Sequence, residues 1–154
     1  MKSTNSENPE EETPLAFPSL VDFFGEVFHV YTRSQAIEDG TLIPATEPLA
    51  RAAGFAIPVA YTSGVYTDCI EWTAEDDDRS CWVPHQTGRE LDVLNLAHFA
   101  TQSAPNVSIA SFEIVYVSRF PQNGTTVETI TLLSEIGPDD HGDPCLTIMH
   151  PHEC

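Results

Sequence analysis

Apolar and polar residues alternate with period two in three runs after Pro105, whereas before it the apolar spacing is largely helical, so the pattern divides the chain into a helical part and a strand part. The runs Ser111–Arg119, Thr125–Leu133 and Cys145–Met149 are rich in β-branched and aromatic residues and predict three strands. Pro121-Gln-Asn-Gly124 supplies an Asn-Gly turn, and Ile136 to Pro144 is a longer polar connection, which together predict an antiparallel meander. Upstream, Thr32 and Gln35 are spaced as a capping box and Gly40 follows, predicting a short helix over 33–39. Thr41 to Pro44 reads as extended, because Pro44 disfavours helix at Ile43. Thr46, Pro48 and Gly54 start and stop a second short helix, and residues 55–59 form a loop or short extended link. Val65, Tyr66, Cys69, Ile70 and Trp72 predict a helix over 62–72 with Thr62 or Ser63 as cap. Thr87-Gly-Arg-Glu90 is a second capping box that opens the longest helix at about 88–102, its apolar face formed by Leu91, Leu94 and Ala97 with Leu96 and Phe99 on the flank. The apolar run Phe23 to Tyr31 fits a strand or a first helical turn, and Cys81, Trp82 and Val83 return briefly to the core. The order predicts an α+β fold: short N-terminal helices and one longer helix packed on a C-terminal three-stranded antiparallel meander.

A chain of 154 residues supports one core of ordinary size. Residues 1–20 hold four glutamates, three prolines and few apolar side chains. That is too little burial to offset the entropy of ordering, so a disordered acidic tail is predicted ahead of a single domain over 21–154. There is no leader pattern and no apolar run near the roughly 18 residues that span a bilayer, which predicts a soluble, cytoplasmic protein. The sequons at Asn106 and Asn123 carry no weight on that basis. Cys69, Cys81, Cys145 and Cys154 are expected as free thiols, because a chain of this size builds a core without disulfides.

Charge changes the picture most: there are 24 Asp and Glu against six Lys and Arg, and Lys2 is the only lysine. Without the four glutamates and one lysine of the tail, the formal net charge moves only from −18 to −15. A domain of this length is roughly 40 Å across, and an equal length of duplex DNA, with one charge per about 1.7 Å, bears on the order of 22. Such comparable totals permit a surface that imitates nucleic acid, and the sign argues against gripping a phosphate backbone. Solubility or adaptation to a salty cytoplasm accounts for the same composition.

The acidic segments Glu75, Asp76, Asp77, Asp78 and Asp139, Asp140, Asp143 read as solvated loops without the order of a calcium hand. They are the candidate residues for meeting a basic groove. His141, Cys145, His150, His152 and Cys154 offer nitrogen and sulfur, but not the paired short spacing of a closed tetrahedral zinc site, and no metal is assigned. No Gly-x-Ser-x-Gly, His-Glu-x-x-His, Walker or dinucleotide pattern occurs, so no catalytic residue and no cofactor is assigned. A hydrolase would have to draw on Glu71 beside Asp68, or on His98 or His85, although nothing in the spacing gives two carboxylates unlike environments. Arg33 is expected to hold a carboxylate such as Glu38 or Asp39, or a neighbouring loop. Trp72 and Trp82 are expected in the core.

The runs FGEVFHVYTRSQAIEDGTLIPAT, ARAAGFAIPVAYTSGVYTDCIEW, GRELDVLNLA and IGPDDHGDPCLTIMHP, in that order over residues 24–153, resemble a family of small acidic proteins with a domain of unknown function, found on bacterial plasmids, integrative elements and phages. YTRSQAIEDG and the closing GDP-x-x-TIM are the distinctive segments. The resemblance brings no catalytic residues, and the family's C-terminal segment generally lacks the His and Cys present here. It implies an accessory protein of a mobile element. Joined to the charge, the expectation is a non-enzymatic acidic module that binds a basic or nucleic-acid-binding protein, without direct contact to nucleic acid or membrane. It would present carboxylates where phosphates sit, and so inhibit or modulate a host nucleic-acid-handling or defence protein. A small orphan hydrolase and an acid-rich adaptor with no charge-specific partner are the alternatives from other classes.

Overall fold

A computed structural model describes residues 31–79, 85–121 and 126–154. The predicted tail, the Phe23 to Val30 run, the Cys81-Trp-Val83 return and the Asn-Gly turn lie outside the described residues. In chain order the elements are α1 (Arg33–Glu38), β1 (Leu42–Pro44), α2 (Glu47–Ala53), β2 (Val59–Thr62), α3 (Ser63–Val65) running into a π-helical turn (Tyr66–Ile70), α4 (Ala74–Arg79), α5 (Gln86–Ser103), β3 (Ile109–Val117), β4 (Val127–Pro138), β5 (Pro144–Met149) and a closing 3₁₀ turn (Pro151–Glu153).

The predicted fold class is overturned. The sheet has five strands in the order β1-β2-β5-β4-β3 and is mixed, with β2 parallel to β5 and the other neighbours antiparallel, so it is not a three-stranded meander standing after the helices. β1 lies in the stretch Thr41 to Pro44 that reads as extended; the strand that the pattern misses is β2, which is short and whose pairing with β5 is remote in sequence: Val59 pairs with Leu146. Local periodicity carries no trace of such a contact. β2 reads Val-Ala-Tyr-Thr, a continuous apolar run rather than an alternation, because both of its faces are covered. β1 ends in Pro44 at the sheet edge, where a missing N–H costs no ladder bond.

One sheet face carries α2, the π-turn and α5 around a core in which Tyr61, Ile70, Leu94, Leu132, Leu146 and Ile148 are fully buried. Each such side chain contributes about 1.5–3 kcal/mol on burial. On the opposite face α1 is tied down by its Arg33, whose Nη1 donates to Thr147 Oγ1 (2.7 Å) and Nη2 to the Leu146 carbonyl (3.2 Å). Among the described residues, no helix covers the β3–β4 half of that opposite face, where Ser111, Glu113, Val115, Thr129 and Thr131 are all exposed.

Several local expectations change for identifiable reasons. The Thr32 capping box forms, but Thr46 does not cap α2; its N–H and hydroxyl donate to Glu90 instead, at 2.8 and 3.0 Å. Glu90 also accepts from the Tyr61 hydroxyl (3.1 Å), so the second capping box does not form and α5 begins at Gln86. The predicted helix over 62–72 is α-helical only to Val65. It then widens, with Glu71 N–H reaching the Tyr66 carbonyl five residues back (2.8 Å), which turns the adjacent Cys69 and Ile70 both into the core. The stretch Glu75 to Asp78 is not a loop but lies in α4. The buried stripe of α5 is Glu90, Val93, Leu94 and Ala97. At about 100° per residue, Leu96 and Phe99 fall far to one side of that stripe, and they are exposed.

Candidate functional site

The structure separates the two acidic sets and gives their members different work. In α4, Thr73-x-x-Asp76 forms a side-chain cap: the Thr73 N–H and hydroxyl donate to Asp76 Oδ2 at 2.7 and 2.9 Å. That bond turns Asp76 inward, where it is 1% exposed. There Arg119 Nε donates to Asp76 at 2.8 Å, Arg79 meets its other oxygen, and Arg119 Nη1 reaches Glu71 at 3.1 Å. Burial pushes the Asp76 carboxyl up, but the Thr73 donors and the Arg119 guanidinium outweigh it and hold the group below its ordinary value. Glu75, Asp77 and Asp78 remain exposed on the helix, Asp77 also accepting from Trp72 Nε1 (2.7 Å). Trp72 is thus half-buried rather than in the core, and its ring lies against the Arg89 guanidinium.

In the β4–β5 turn, Asp139 accepts from the N–H groups of His141 and Asp143 (2.8 and 2.9 Å), which hold its carboxyl below the usual range. Asp140 serves α1: it accepts from the Ser34 hydroxyl (2.7 Å) and from the N–H groups of Ser34 and Arg33, and is likewise held low, chiefly by Ser34. Asp143 stays exposed. The α4 set sits beside Arg119, two residues past the end of β3, where Val117 pairs with Val127, the first residue of β4; the turn set follows Pro138, its last. The twelve residues of β4 therefore place the two sets towards opposite ends of that strand.

Three of the five arginines, Arg33, Arg89 and Arg119, are directed inward. Arg89, only 6% exposed, donates to the carbonyls of Ile70 (3.1 Å) and Asp68 (3.2 Å) at the end of the π-turn, where a helix leaves its last carbonyls without partners, and to that of Val117 (2.8 Å) in β3. Arg33 and Arg119 are likewise engaged with this chain's own oxygens. Arg51 and Arg79 are the more exposed ones, and each lies against a carboxylate of its own helix. Sequence reasoning placed Arg33 with a carboxylate or a neighbouring loop; its guanidinium takes β5 oxygens, and its backbone N–H takes Asp140. The Arg89 and Arg119 networks were not foreseen, although five arginines in so acidic a domain and the Thr73-x-x-Asp76 spacing were both visible in the sequence.

The remaining candidate side chains are spread over the molecule. His98 packs edge-on to Phe55 with ring centres 5.0 Å apart. It fills the space beside Gly54, whose φ of +108° ends α2 and where a Cβ would stand 2.7 Å from the His98 ring. His150 meets Asp68 through Nε2 (3.1 Å) and stacks on His152, while Cys145 lies at the far end of β5 and His141 in the turn before it. Among the described residues, no three His, Cys, Asp or Glu side chains gather as a metal would require. Burial pushes the Cys69 thiol up to about 12, so it is no nucleophile at neutral pH. Among the described residues, no helix is long and apolar enough to cross a membrane.

No curated protein matches the chain, and no solved structure does. The model of the family described as Family of unknown function (DUF6573) matches residues 21–154, most of the chain, which therefore belongs to that family.

Proposed function

We propose that this protein is a non-enzymatic binding module that offers its acidic surface to a basic or nucleic-acid-binding protein, in the cytoplasm and as an accessory of a mobile genetic element. The observation that carries this reading is the fate of the cations: the guanidinium groups of Arg33, Arg89 and Arg119 are taken up inside the fold. The exposed carboxylates Glu75, Asp77, Asp78 and Asp143 face solvent, and the exposed Arg79 of α4 is held on Asp76. Their two groups lie towards opposite ends of β4. That placement suits a partner with an extended basic cleft, and the module would inhibit or modulate such a partner by occupying the cleft.

The test is capture of proteins from a bacterial lysate on the immobilised full chain at low and high salt, followed by elution with duplex DNA. Basic proteins released by the duplex, with affinity falling at least about tenfold at the higher salt, are the expected result. A fourfold variant, Glu75→Gln, Asp77→Asn, Asp78→Asn and Asp143→Asn, should capture none of them. Equal capture by that variant, or proteins that duplex DNA does not release, would overturn the proposal.

A further inference from the structure

The seam between α5 and β3 has the features of a strand-accepting groove. Among the described residues β3 is, with β1, one of the two edge strands of the sheet, and it runs nine residues. Ile136 N–H donates to the Ser108 carbonyl (2.8 Å) and Ser118 N–H to the Thr126 carbonyl (2.6 Å). In this register the even-numbered residues of β3 exchange bonds with β4, and the odd ones turn their N–H and C=O groups to the open edge. The Val117 carbonyl, last of that odd row, is the one Arg89 occupies, which fixes the direction of the row. Among the described residues, nothing pairs with the main chain of Ile109, Ser111, Glu113 or Val115. Natural edges of this length are usually blunted by charged side chains, above all lysine, by proline or by a bulge; β3, Ile-Ala-Ser-Phe-Glu-Ile-Val-Tyr-Val, carries Glu113 as its one charge, contains neither lysine nor proline, and pairs with β4 without a break.

Above this edge, α5 presents Asp92, Leu96, Phe99 and Ser103, four positions spaced along one side of the helix. Phe99 is 70% exposed. Between Leu96, Phe99 and the first half of β3 lies a groove of about 560 Å³, and beyond Asp92 a smaller one of about 160 Å³ continues to Val117. The floor is apolar, exposed Asp92 stands above it on the helix, and Glu113 turns from β3 to the opposite face of the sheet. The one arginine at the seam, Arg89, has its donors on carbonyls.

We infer that a partner's extended segment adds to β3 as a sixth strand, its apolar side chains entering the groove under Phe99 and Leu96 and its alternate Lys or Arg side chains lying beside Glu113. Main-chain bonds along the odd row would hold such a segment, and the groove would select every second residue. Pairing a basic side chain across from Glu113 is favourable on an exposed sheet face, whereas a second carboxylate there is not. The inference adds a mode of engagement to the acidic-surface reading and rests on it for the partner's charge.

The probe is a labelled peptide of about seven residues, long enough to span the odd row, alternating Lys and Val. Its controls are a peptide of the same composition with the valines in one block, and an alternating Glu and Val peptide. Binding to the full chain is read by fluorescence anisotropy, with hydrogen exchange of the β3 amides alongside. The alternating Lys peptide should bind at least tenfold tighter than either control and slow exchange at Ser111, Glu113 and Val115. Ser111→Pro removes an outward N–H without breaking a ladder bond to β4, and Phe99→Glu changes an exposed side chain; each should weaken binding at least tenfold while leaving the unfolding midpoint within a degree or two. Unaltered binding by both variants would overturn the strand-addition mode, whatever the salt dependence. Binding that is lost in both variants but insensitive to salt and to the Glu-for-Lys control would keep the mode and sink the acidic-surface reading. Protection of the odd amides before any peptide is added would also overturn the inference, with a monomeric mass pointing to another segment of this chain and a doubled mass to a second copy.

Discussion

Replacing Arg119 with methionine isolates what the inward-turned cations contribute. The side chain is 9% exposed and its partner Asp76 1%, and the substitution removes the 2.8 Å bond to Asp76 together with the bonds to Glu71 and the Thr67 carbonyl, each 3.1 Å. Taking one member from a buried pair leaves the other charge uncompensated and costs about 3–5 kcal/mol. Arg79 and Thr73 still hold Asp76, so the lower end, about 3 kcal/mol, is expected. That is a large share of a typical stability of about 5–15 kcal/mol, and it should lower the urea midpoint by about 1–2 M. The sign of the pH dependence follows from the direction of the shift. The Asp76 carboxyl is held below its ordinary value of 3.8, so its contribution is present above that value and is lost as pH falls through the folded-state value. In Arg119→Met the burial of Asp76 is less opposed, its carboxyl moves up, and protonation relieves part of the cost. The gap between the two proteins should therefore be widest near neutrality and shrink below about pH 4. Urea unfolding followed by tryptophan fluorescence at both pH values measures it. Arg51→Met, which breaks an exposed pair with Glu47, serves as control at about 0.5 kcal/mol or less. A neutral-pH loss no larger than the control's, or a gap that stays constant on acidification, would refute the account of Asp76.

Arg89→Lys keeps a charge but cannot reach three carbonyls at once. It should destabilise by about 2–4 kcal/mol in the same urea assay, because buried acceptors left unsatisfied cost about 1–3 kcal/mol each. Tyr61→Phe removes the hydroxyl that donates to buried Glu90 and should cost about 1.5–3 kcal/mol, measured by calorimetric or urea unfolding. Of the described cysteines, Cys154 is exposed while Cys69 and Cys145 are buried with their thiols pushed up; peptide mapping after brief alkylation of the native protein should find Cys154 modified and the other two modified only in denaturant. Added salt should raise the unfolding temperature by screening repulsion among surface carboxylates while weakening capture of a basic partner.

Short-range features were legible in the sequence and long-range ones were not. The Thr32 cap, the stop at Gly54 and the course of α5 each follow from residues within one or two turns of each other. The β2–β5 pairing joins positions nearly ninety residues apart, and nothing local marks it. Glu90 shows why a local pattern misled: the capping-box spacing from Thr87 is present, yet a glutamate that can accept from Thr46 and Tyr61 at once is better satisfied buried than exposed at a helix start. Asp76 was read with its neighbours as one solvated run, whereas the Thr73 cap turns it away from Glu75, Asp77 and Asp78. The acidic surface itself was legible only as composition. What composition omits is the direction in which the few arginines point.

That direction links stability to the proposed role. A chain with a formal charge of −18 gains least from cations spread over its surface, where water and salt screen each pair. The same guanidinium groups act more strongly where the dielectric is low and several oxygens converge, as Asp68, Ile70 and Val117 converge on Arg89, and Asp76, Glu71 and Thr67 on Arg119. Spending them there strengthens the π-turn and its junctions with α5 and β3, and it removes from the exterior the charges that would otherwise neutralise Glu75, Asp77, Asp78 and Asp143. A folded core and a predominantly acidic exterior are then two results of a single placement.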